Sequence, residues 1–318
     1  MKKILIIILT IFPLITFSQA NKIYRKAIRA TNLKERVELF TQVITLEPKN
    51  FDAYFYRGIA KNNLGDYNGA IVDYSKIIVF EPDADTYYNR GNSKYSIEDF
   101  EGAKEDYENA FKLDPNFIDA LYSLGCAKFD LGDYKGAITD FTNVLNKAPH
   151  SKVFNLRASA YRALKEYKKA LKDYTYVILI NANSDAYYNR GEFYLSVNYY
   201  QKANDDFSIS IKQNKNNSFA YFYRGTTYLL LGKYNDAISD FSKTLIFDST
   251  DFDAMLGLAI SYYKANDFDN AKLNFKKAEN ILSTNIATDK SLNLFENTYW
   301  FQNQNYMFSK EYEVLNKL

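Results

Sequence analysis

The chain has 318 residues, of which 47% are hydrophobic and 25% charged, and it is long enough for two or three globular domains. Its 40 basic and 38 acidic side chains nearly cancel, which argues against nucleic acid as a partner because phosphate binding needs a basic excess. A single cysteine excludes an internal disulfide, so stability must come from packing.

The first twenty residues, 1–20, have the pattern of a secretory signal peptide. Two lysines precede an apolar run from Ile4 to Phe17, and the small residues Ser18 and Ala20 suit cleavage before Asn21. Cleavage after Ser18 is a close alternative. The run is interrupted by Pro13 and is too short for a comfortable membrane span. We therefore expect an exported bacterial protein, periplasmic or extracellular, with no membrane insertion after signal cleavage.

A pattern of 33 or 34 residues then recurs seven times. Counted from the first residue of each block, position 8 is glycine or alanine, position 17 is aromatic, position 20 is alanine and position 24 is aromatic. Positions 4, 7, 8 and 11 of each block fall on one side of a helix, and a second helical stripe follows from position 17, with a glycine-containing break such as 64–66 between the two. Each block is therefore expected to be a helix hairpin stacked on its neighbours. The blocks are 51–83, 84–117, 118–150, 151–183, 184–217, 218–251 and 252–285.

This arrangement resembles the tetratricopeptide repeat (TPR). The first block has residues of that family's signature at Ala53, Tyr54, Gly58, Gly65, Asp66, Tyr67, Ala70, Tyr74 and Pro82. The resemblance covers 51–285 and implies an all-α fold, a right-handed α-solenoid of stacked helix-turn-helix repeats. We expect a degenerate N-terminal repeat over 21–50. Over 286–318 we expect C-terminal capping helices that include the only tryptophan, Trp300.

Charged residues recur in register with the repeats. Position 7, commonly leucine in the family resembled, is arginine in five blocks, and position 23 is aspartate in six. Pairing within a block gives every arginine a partner and leaves over only Asp140, beside Leu124, whereas pairing with the next block leaves three residues unmatched. We therefore expect partly buried ion pairs joining the two helices of a repeat; the alternative is an arginine row that binds an acidic ligand. The expected pairs are Arg57 with Asp73, Arg90 with Asp106, Arg157 with Asp173, Arg190 with Asp206, and Arg224 with Asp240.

A second face of the first helix in each block is expected to bind a ligand. Positions 2, 5, 9, 12 and 13 lie opposite the packed stripe, and in the family resembled this side lines a concave groove that holds peptides or partner helices. The alternative is that these rings pack against the neighbouring repeat. The resemblance implies groove residues at Phe55, Asn62, Tyr88, Asn92, Tyr95, Tyr122, Phe129, Asn155, Tyr188, Glu192 and Phe222.

Catalytic motifs are not found in the sequence. His150 follows a proline in a turn, Cys126 stands where a small side chain fits, and no phosphate-binding loop, metal-ligand cluster or hydrolase motif is present. We expect no enzyme, no cofactor and no metal. The expected function is a non-catalytic protein–protein interaction scaffold that binds a peptide segment or partner protein in the groove. The alternative is a cell-envelope glycan-binding module in which groove tyrosines stack on sugars.

Overall fold

A computed structural model describes residues 18–286 and 299–317. The expected signal peptide, 1–20, therefore lies almost wholly outside the described residues, as do residues 287–298 of the expected cap. Within the described ranges the regular structure is helical: α1 (18–29), α2 (Leu33–Leu46), α3 (Phe51–Asn63), α4 (Tyr67–Ile78), α5 (Ala84–Ser96), α6 (Phe100–Leu113), α7 (Ile118–Asp130), α8 (Tyr134–Lys147), α9 (Ser151–Ala163), α10 (Tyr167–Ile180), α11 (Ser184–Ser196), α12 (Tyr200–Gln213), α13 (Ser218–Leu230), α14 (Tyr234–Phe247), α15 (Phe252–Lys264), α16 (Phe268–Ile286), a π-helical segment (Trp300–Gln304) and α17 (Asn305–Leu315).

The chain divides into two compact units at Ala170, within α10. In the first unit, from α2 to α9, each helix packs against the helix before it and the helix after it. The same order holds from α11 to α16 in the second unit. Each unit is thus a stack of helix hairpins, the architecture of an α-solenoid. None of the helices described is long and apolar enough to cross a bilayer.

The two helices of a hairpin approach closely at position 8. A Cβ atom added at Gly58 would lie 2.7 Å from the ring of Tyr74, and one added at Gly91 would lie 2.7 Å from the ring of Tyr107. Both tyrosine rings, at position 24, are almost fully buried. The glycine therefore makes room for the aromatic residue of the second helix, which explains why the two positions recur together.

Position 15 ends the first helix of each hairpin in the left-handed region of backbone conformation. Glycine occupies it in three repeats, with φ between 74° and 82°. The other four repeats have a non-glycine residue at this position, with φ from 59° to 63°: Glu98, Lys165, Asn198 and Asn266. Side chains with a Cβ are strained in this region, and asparagine tolerates it best.

The C-terminal segment of the second unit packs on α15. Trp300 is 2% exposed, and its indole N–H donates to the backbone oxygen of Asp253 at 2.6 Å. A Cβ atom added at Gly257 would lie 2.6 Å from the Phe241 ring and 2.8 Å from the Trp300 ring, so both rings occupy the space over this glycine. Lys264 forms an ion pair with Glu311 of α17. These contacts cover the apolar surface of α15, which buries eight consecutive residues from Ala254 to Ser261.

Candidate interaction surface

Arginine at position 7 forms an ion pair with the aspartate at position 23 of its own repeat in the first, second, fifth and sixth repeats. Arg190 donates from Nε to Oδ2 of Asp206 at 2.7 Å and from Nη2 to Oδ1 at 2.8 Å. This bidentate geometry recurs for Arg57 with Asp73, Arg90 with Asp106, and Arg224 with Asp240. The aspartates are 1–4% exposed, so each pair joins the two helices of a hairpin below the surface. The hydrogen bond to Asp206 also raises the pKa of Arg190.

The arginines also contact the preceding repeat. Nη1 of Arg57 donates to Thr41, that of Arg90 to Ser75, that of Arg157 to Thr142 and that of Arg224 to Ser208, at 3.0–3.2 Å. All four hydroxyls stand at the same position of the second helix before the arginine. The guanidinium therefore links consecutive repeats as well as the helices of one repeat, a contact that pairing by charge did not predict.

An aromatic ring at position 4 covers each guanidinium. The distance from the guanidinium carbon to the ring centre is 5.4 Å for Arg57 over Tyr54 and 5.4 Å for Arg157 over Phe154. Asp173, expected to pair with Arg157, is 4% exposed. Burial and ring contact of this kind keep the arginines from facing solvent, which favours a structural role over the binding of an acidic ligand.

Lysine at position 11 is a further partner of the buried aspartates that the repeat pattern did not predict. Asp140, which has no arginine in its repeat, forms an ion pair with Nζ of Lys128 at 2.8 Å. Lys61 and Lys94 reach the aspartates of the first and second repeats at 2.9 Å, in addition to the arginine. Burial raises the pKa of Asp140, and the Lys128 ammonium opposes that rise. The signal in the sequence is lysine one helical turn after position 7 in the first three blocks.

Repeats without this lysine have a tyrosine in its place. The guanidinium of Arg190 lies 5.7 Å from the ring centre of Tyr194, and the ammonium of Lys202 lies 5.6 Å from the same ring. Lys202 stands at position 19, where the first repeat has Gly69, whose carbonyl accepts Nζ of Lys61 at 3.2 Å. Lysine at position 11 therefore occurs together with glycine at position 19. Because the fifth repeat lacks this lysine, its aspartate, Asp206, has one cationic partner fewer than Asp106 of the second repeat.

The position-5 rings of the first unit are Phe55, Tyr88 and Tyr122, which we call the aromatic face. All three are half-buried. The Tyr88 ring lies 4.8 Å from the ring of Phe117, the last residue of the same repeat, and Tyr122 lies under the ammonium of Lys152 at 5.4 Å. Part of each ring therefore packs within the protein and part faces solvent. The packed part agrees with the expectation of ring packing, and the exposed part leaves surface for a ligand.

Polar groups predicted for the groove hydrogen-bond within the protein. Asn62 accepts from the hydroxyl of Ser93 at 2.8 Å, and Asn92 accepts from the hydroxyl of Tyr107 at 2.9 Å. Tyr95 donates to Asp130 of the next repeat, and burial together with this bond raises the pKa of Tyr95. These contacts stiffen the stack beside the aromatic face. Half-buried groove candidates also include Phe129, Asn155 and Glu192.

In the second unit the chain covers the predicted groove with its own C-terminal segment. Phe222 is 7% exposed because Tyr299 and Trp300 pack on it, at ring distances of 5.2 and 6.3 Å. Tyr188 packs on Tyr223 at 5.9 Å, and burial raises the pKa of Tyr188. Phe222 therefore does not line an open groove, which corrects the expectation for this residue. Periodicity could not reveal it, because Tyr299 is distant in sequence.

A cavity of about 420 Å³ opens between the first and second repeats. Phe55, Tyr56 and Asp85 contribute to its lining. An adjoining cavity of about 810 Å³ shares Phe51 and Asp52 with it. In the part of the chain that is described, no group of histidine, cysteine and carboxylate side chains could hold a metal ion.

Sequence models of the tetratricopeptide repeat match residues 39–72, 84–117, 122–186, 207–239 and 253–280, and the chain belongs to this family. TPR arrays are scaffolds for protein–protein interaction, and the fold described above is of that class. No curated protein sequence matches the chain.

Solved structures share the fold at low sequence identity. A tetratricopeptide repeat protein from Parabacteroides merdae is 18% identical with a TM-score of 0.60, covering 77% of this chain and 99% of that one. Yeast Tom70 is 16% identical with a TM-score of 0.54, covering 94% and 65%. The APC/C hetero-tetramer Cut9–Hcn1 is 15% identical with a TM-score of 0.53, covering 79% and 50%, so the chain spans half the length of that relative. Identities this low show the fold alone.

Proposed function

We propose that this protein is an exported bacterial scaffold that binds a segment of a partner protein on the aromatic face of its first unit. The observation that carries the proposal is a row of half-buried rings, Phe55, Tyr88 and Tyr122, repeated at the spacing of the hairpins. Aromatic side chains of this kind provide large contact area at low cost in conformational entropy. An extended or helical segment can contact several of them at once.

Charge beside the rings favours a basic segment. Asp52, Asp85 and Asp119, at position 2 of the first three repeats, are all exposed. Together with the rings they offer a partner both apolar contact and negative charge, which increases the rate and specificity of association.

A glycan is the weaker candidate. Tyr88 is tilted against Tyr107 at 5.9 Å as well as against Phe117, so little of its ring face is free to stack on a sugar. Tyr188 is similarly packed against Phe207 and Tyr223 in the second unit. Binding of purified envelope glycans by the mature chain, measured by calorimetry with no protein present, would favour this alternative.

Photocrosslinking tests the binding face. A benzophenone amino acid at Asp119 should capture a protein partner in cells, whereas the same group at Val72, which is 67% exposed on a second helix, should not. Equal capture at both positions, or capture at Val72 alone, would contradict the proposed face. Both sites are exposed, so neither substitution disturbs packing.

Export rests on the sequence of residues 1–20. Cell fractionation and N-terminal sequencing of the mature chain test it, with a start at Asn21 or at residue 19 as the expected result. Recovery of an uncleaved chain from the cytoplasm would overturn this part of the proposal.

A further inference from the structure

Two repeats have an identical six-residue segment at the candidate surface. Residues 53–58 and residues 220–225 both read Ala-Tyr-Phe-Tyr-Arg-Gly. The second segment is covered by the protein's own C-terminal residues, whereas the first borders the cavity of about 420 Å³. The covered copy therefore shows what kind of group the open copy accommodates.

In the sixth repeat this segment holds an aromatic pair of a helical stretch whose described residues run from Tyr299 to Leu315. The ring of Tyr299 lies 5.2 Å from Phe222 and 5.5 Å from Tyr223, in edge contact with both. Next to it, Trp300 donates its indole N–H to the backbone of Asp253, at position 2 of the following repeat. The backbone amides of both residues also lie against the Asp253 carboxyl and oppose the rise of its pKa. A phenylalanine and a tyrosine thus bind the ring of Tyr299 and an aspartate binds the two backbone amides, whereas the Trp300 indole also packs on Gly257 and Phe241.

The first repeat presents the same three residue types in the same arrangement. Phe55 and Tyr56 meet edge to face at 5.7 Å and 80°, as Phe222 and Tyr223 do at 5.2 Å and 80°. Tyr56 also stacks on the position-24 ring of the preceding repeat at 5.9 Å, and Tyr223 does so at 6.0 Å. Asp85 stands where the seventh repeat has Asp253. The rings are therefore already positioned, without a residue of the described chain in the cavity that they border.

Charge distinguishes the open cavity from the covered one. Its lining includes four carboxylates, from Asp52, Glu81, Asp83 and Asp85, and no lysine or arginine. At the corresponding positions of the sixth and seventh repeats, Phe219 replaces Asp52, whereas Asp251 caps α15 as Asp83 caps α5, so the open cavity has one carboxylate that the covered one lacks. The open cavity therefore favours a more basic occupant than the C-terminal segment, whose charged residues after Trp300 include both lysine and glutamate.

We propose that the cavity between the first and second repeats binds an aromatic side chain at the start of a partner's basic helical segment, in the way that Tyr299 is bound between the sixth and seventh repeats. This inference rests on the proposed function and specifies the chemistry of the partner. The aromatic ring contacts Phe55 and Tyr56, the first backbone amides of the partner helix face Asp85, and lysine or arginine side chains in its first turns face the remaining carboxylates.

Peptide binding to the full mature chain tests the inference. The probe is a fluorescein-labelled helical peptide that begins Tyr-Trp and carries lysines in its next two turns, titrated by fluorescence anisotropy. One matched peptide begins Ala-Ala, and another carries glutamates for the lysines. Both should bind at least tenfold more weakly than the probe. Equal binding of either matched peptide overturns the inference.

Variants of the protein locate the site. Asp85→Asn should weaken binding of the probe about tenfold, whereas Asp185→Asn, at the same exposed position of the fifth repeat, should leave binding unchanged. An equal effect of the two substitutions, with helix content unaltered, overturns the assignment to this cavity. Tighter binding of a peptide of residues 299–315 than of the lysine probe also overturns it, because the occupant would then be a second copy of this chain.

Failure of the inference is distinguishable from failure of the proposed function. Where the probes do not bind but a partner is still captured through a crosslinker at Asp119, the aromatic face binds proteins and the cavity assignment is wrong. Where capture at Asp119 also fails, the proposed function is wrong as well.

Discussion

Replacing one arginine of the buried pairs should have a cost that depends on which repeat it is in. Arg190→Leu leaves the carboxylate of Asp206, 3% exposed, without the two hydrogen bonds at 2.7 and 2.8 Å. Stranding a buried charge in this way should lower the free energy of unfolding by about 3–5 kcal/mol. In the second repeat, Arg90→Leu leaves Asp106 with Lys94 at 2.9 Å, so the expected loss is about 2 kcal/mol.

Two second-site changes separate the charge effect from lost packing. Arg190→Leu combined with Asp206→Leu removes the buried charge and should recover most of the loss. Arg190→Leu combined with Tyr194→Lys places an ammonium where the second repeat has Lys94, and it should also be more stable than Arg190→Leu alone. The third repeat is the natural precedent, with leucine at position 7 and Lys128 as the cation.

Urea unfolding followed by circular dichroism at 222 nm measures these differences. If the array unfolds in more than one step, the same unfolding model is fitted to every variant, so that the differences in free energy of unfolding remain comparable. Equal losses for Arg90→Leu and Arg190→Leu would refute the reasoning, because the second cation would then contribute nothing. A double variant no more stable than Arg190→Leu would also refute it, since no charge would have been stranded.

Glu98→Gly should raise the free energy of unfolding by about 0.5–1 kcal/mol in urea titrations, because glutamate is strained at a φ of 63°. Asn266→Gly, at the same φ, should change it by only about a few tenths, and a larger gain there would contradict this explanation. Burial raises the pKa of Asp253 to about 6, so the folded protein binds this proton more tightly than the unfolded chain and loses stability as pH rises from 4 through 6. Asp253→Asn should therefore raise the unfolding midpoint reported by Trp300 fluorescence most at pH 7.5, by about half as much at pH 5, and little at about pH 3.5; an equal gain at pH 7.5 and at about pH 3.5 would exclude titration as the cause. Gly257→Ala places a methyl carbon 2.6 Å from the Phe241 ring and 2.8 Å from the indole and should shift Trp300 emission to longer wavelength, and an unchanged spectrum would contradict this packing of the two rings over Gly257.

Much of the fold could be predicted because the repeat encodes it locally. Each block begins where a helix begins, as α5 does at Ala84, and the recurring small and aromatic positions mark the buried faces. Spacing within a block also predicts which arginine can reach which aspartate, because both lie on facing helices a fixed distance apart.

The surface was less predictable because periodicity shows which side a residue faces but not what covers it. Phe222 and Phe55 have identical neighbours in sequence, yet Tyr299 covers Phe222 and a cavity lies beside Phe55. Lys128 was missed for a related reason. A lysine on the surface of a helix is ordinarily solvated, and only the distance to Asp140 distinguishes it from such a residue.

The bond from arginine to the hydroxyl of the preceding repeat affects how cooperatively the array unfolds. Linear arrays lose structure according to nearest-neighbour coupling, so the weakest junction separates first. Four junctions have the arginine–hydroxyl bond. Within the first unit, the junction between the second and third repeats has Leu124 and Glu108 at the two corresponding positions instead. Amide hydrogen exchange should therefore detect partial opening at this junction, with α3–α6 and α7–α9 exchanging as separate cooperative blocks.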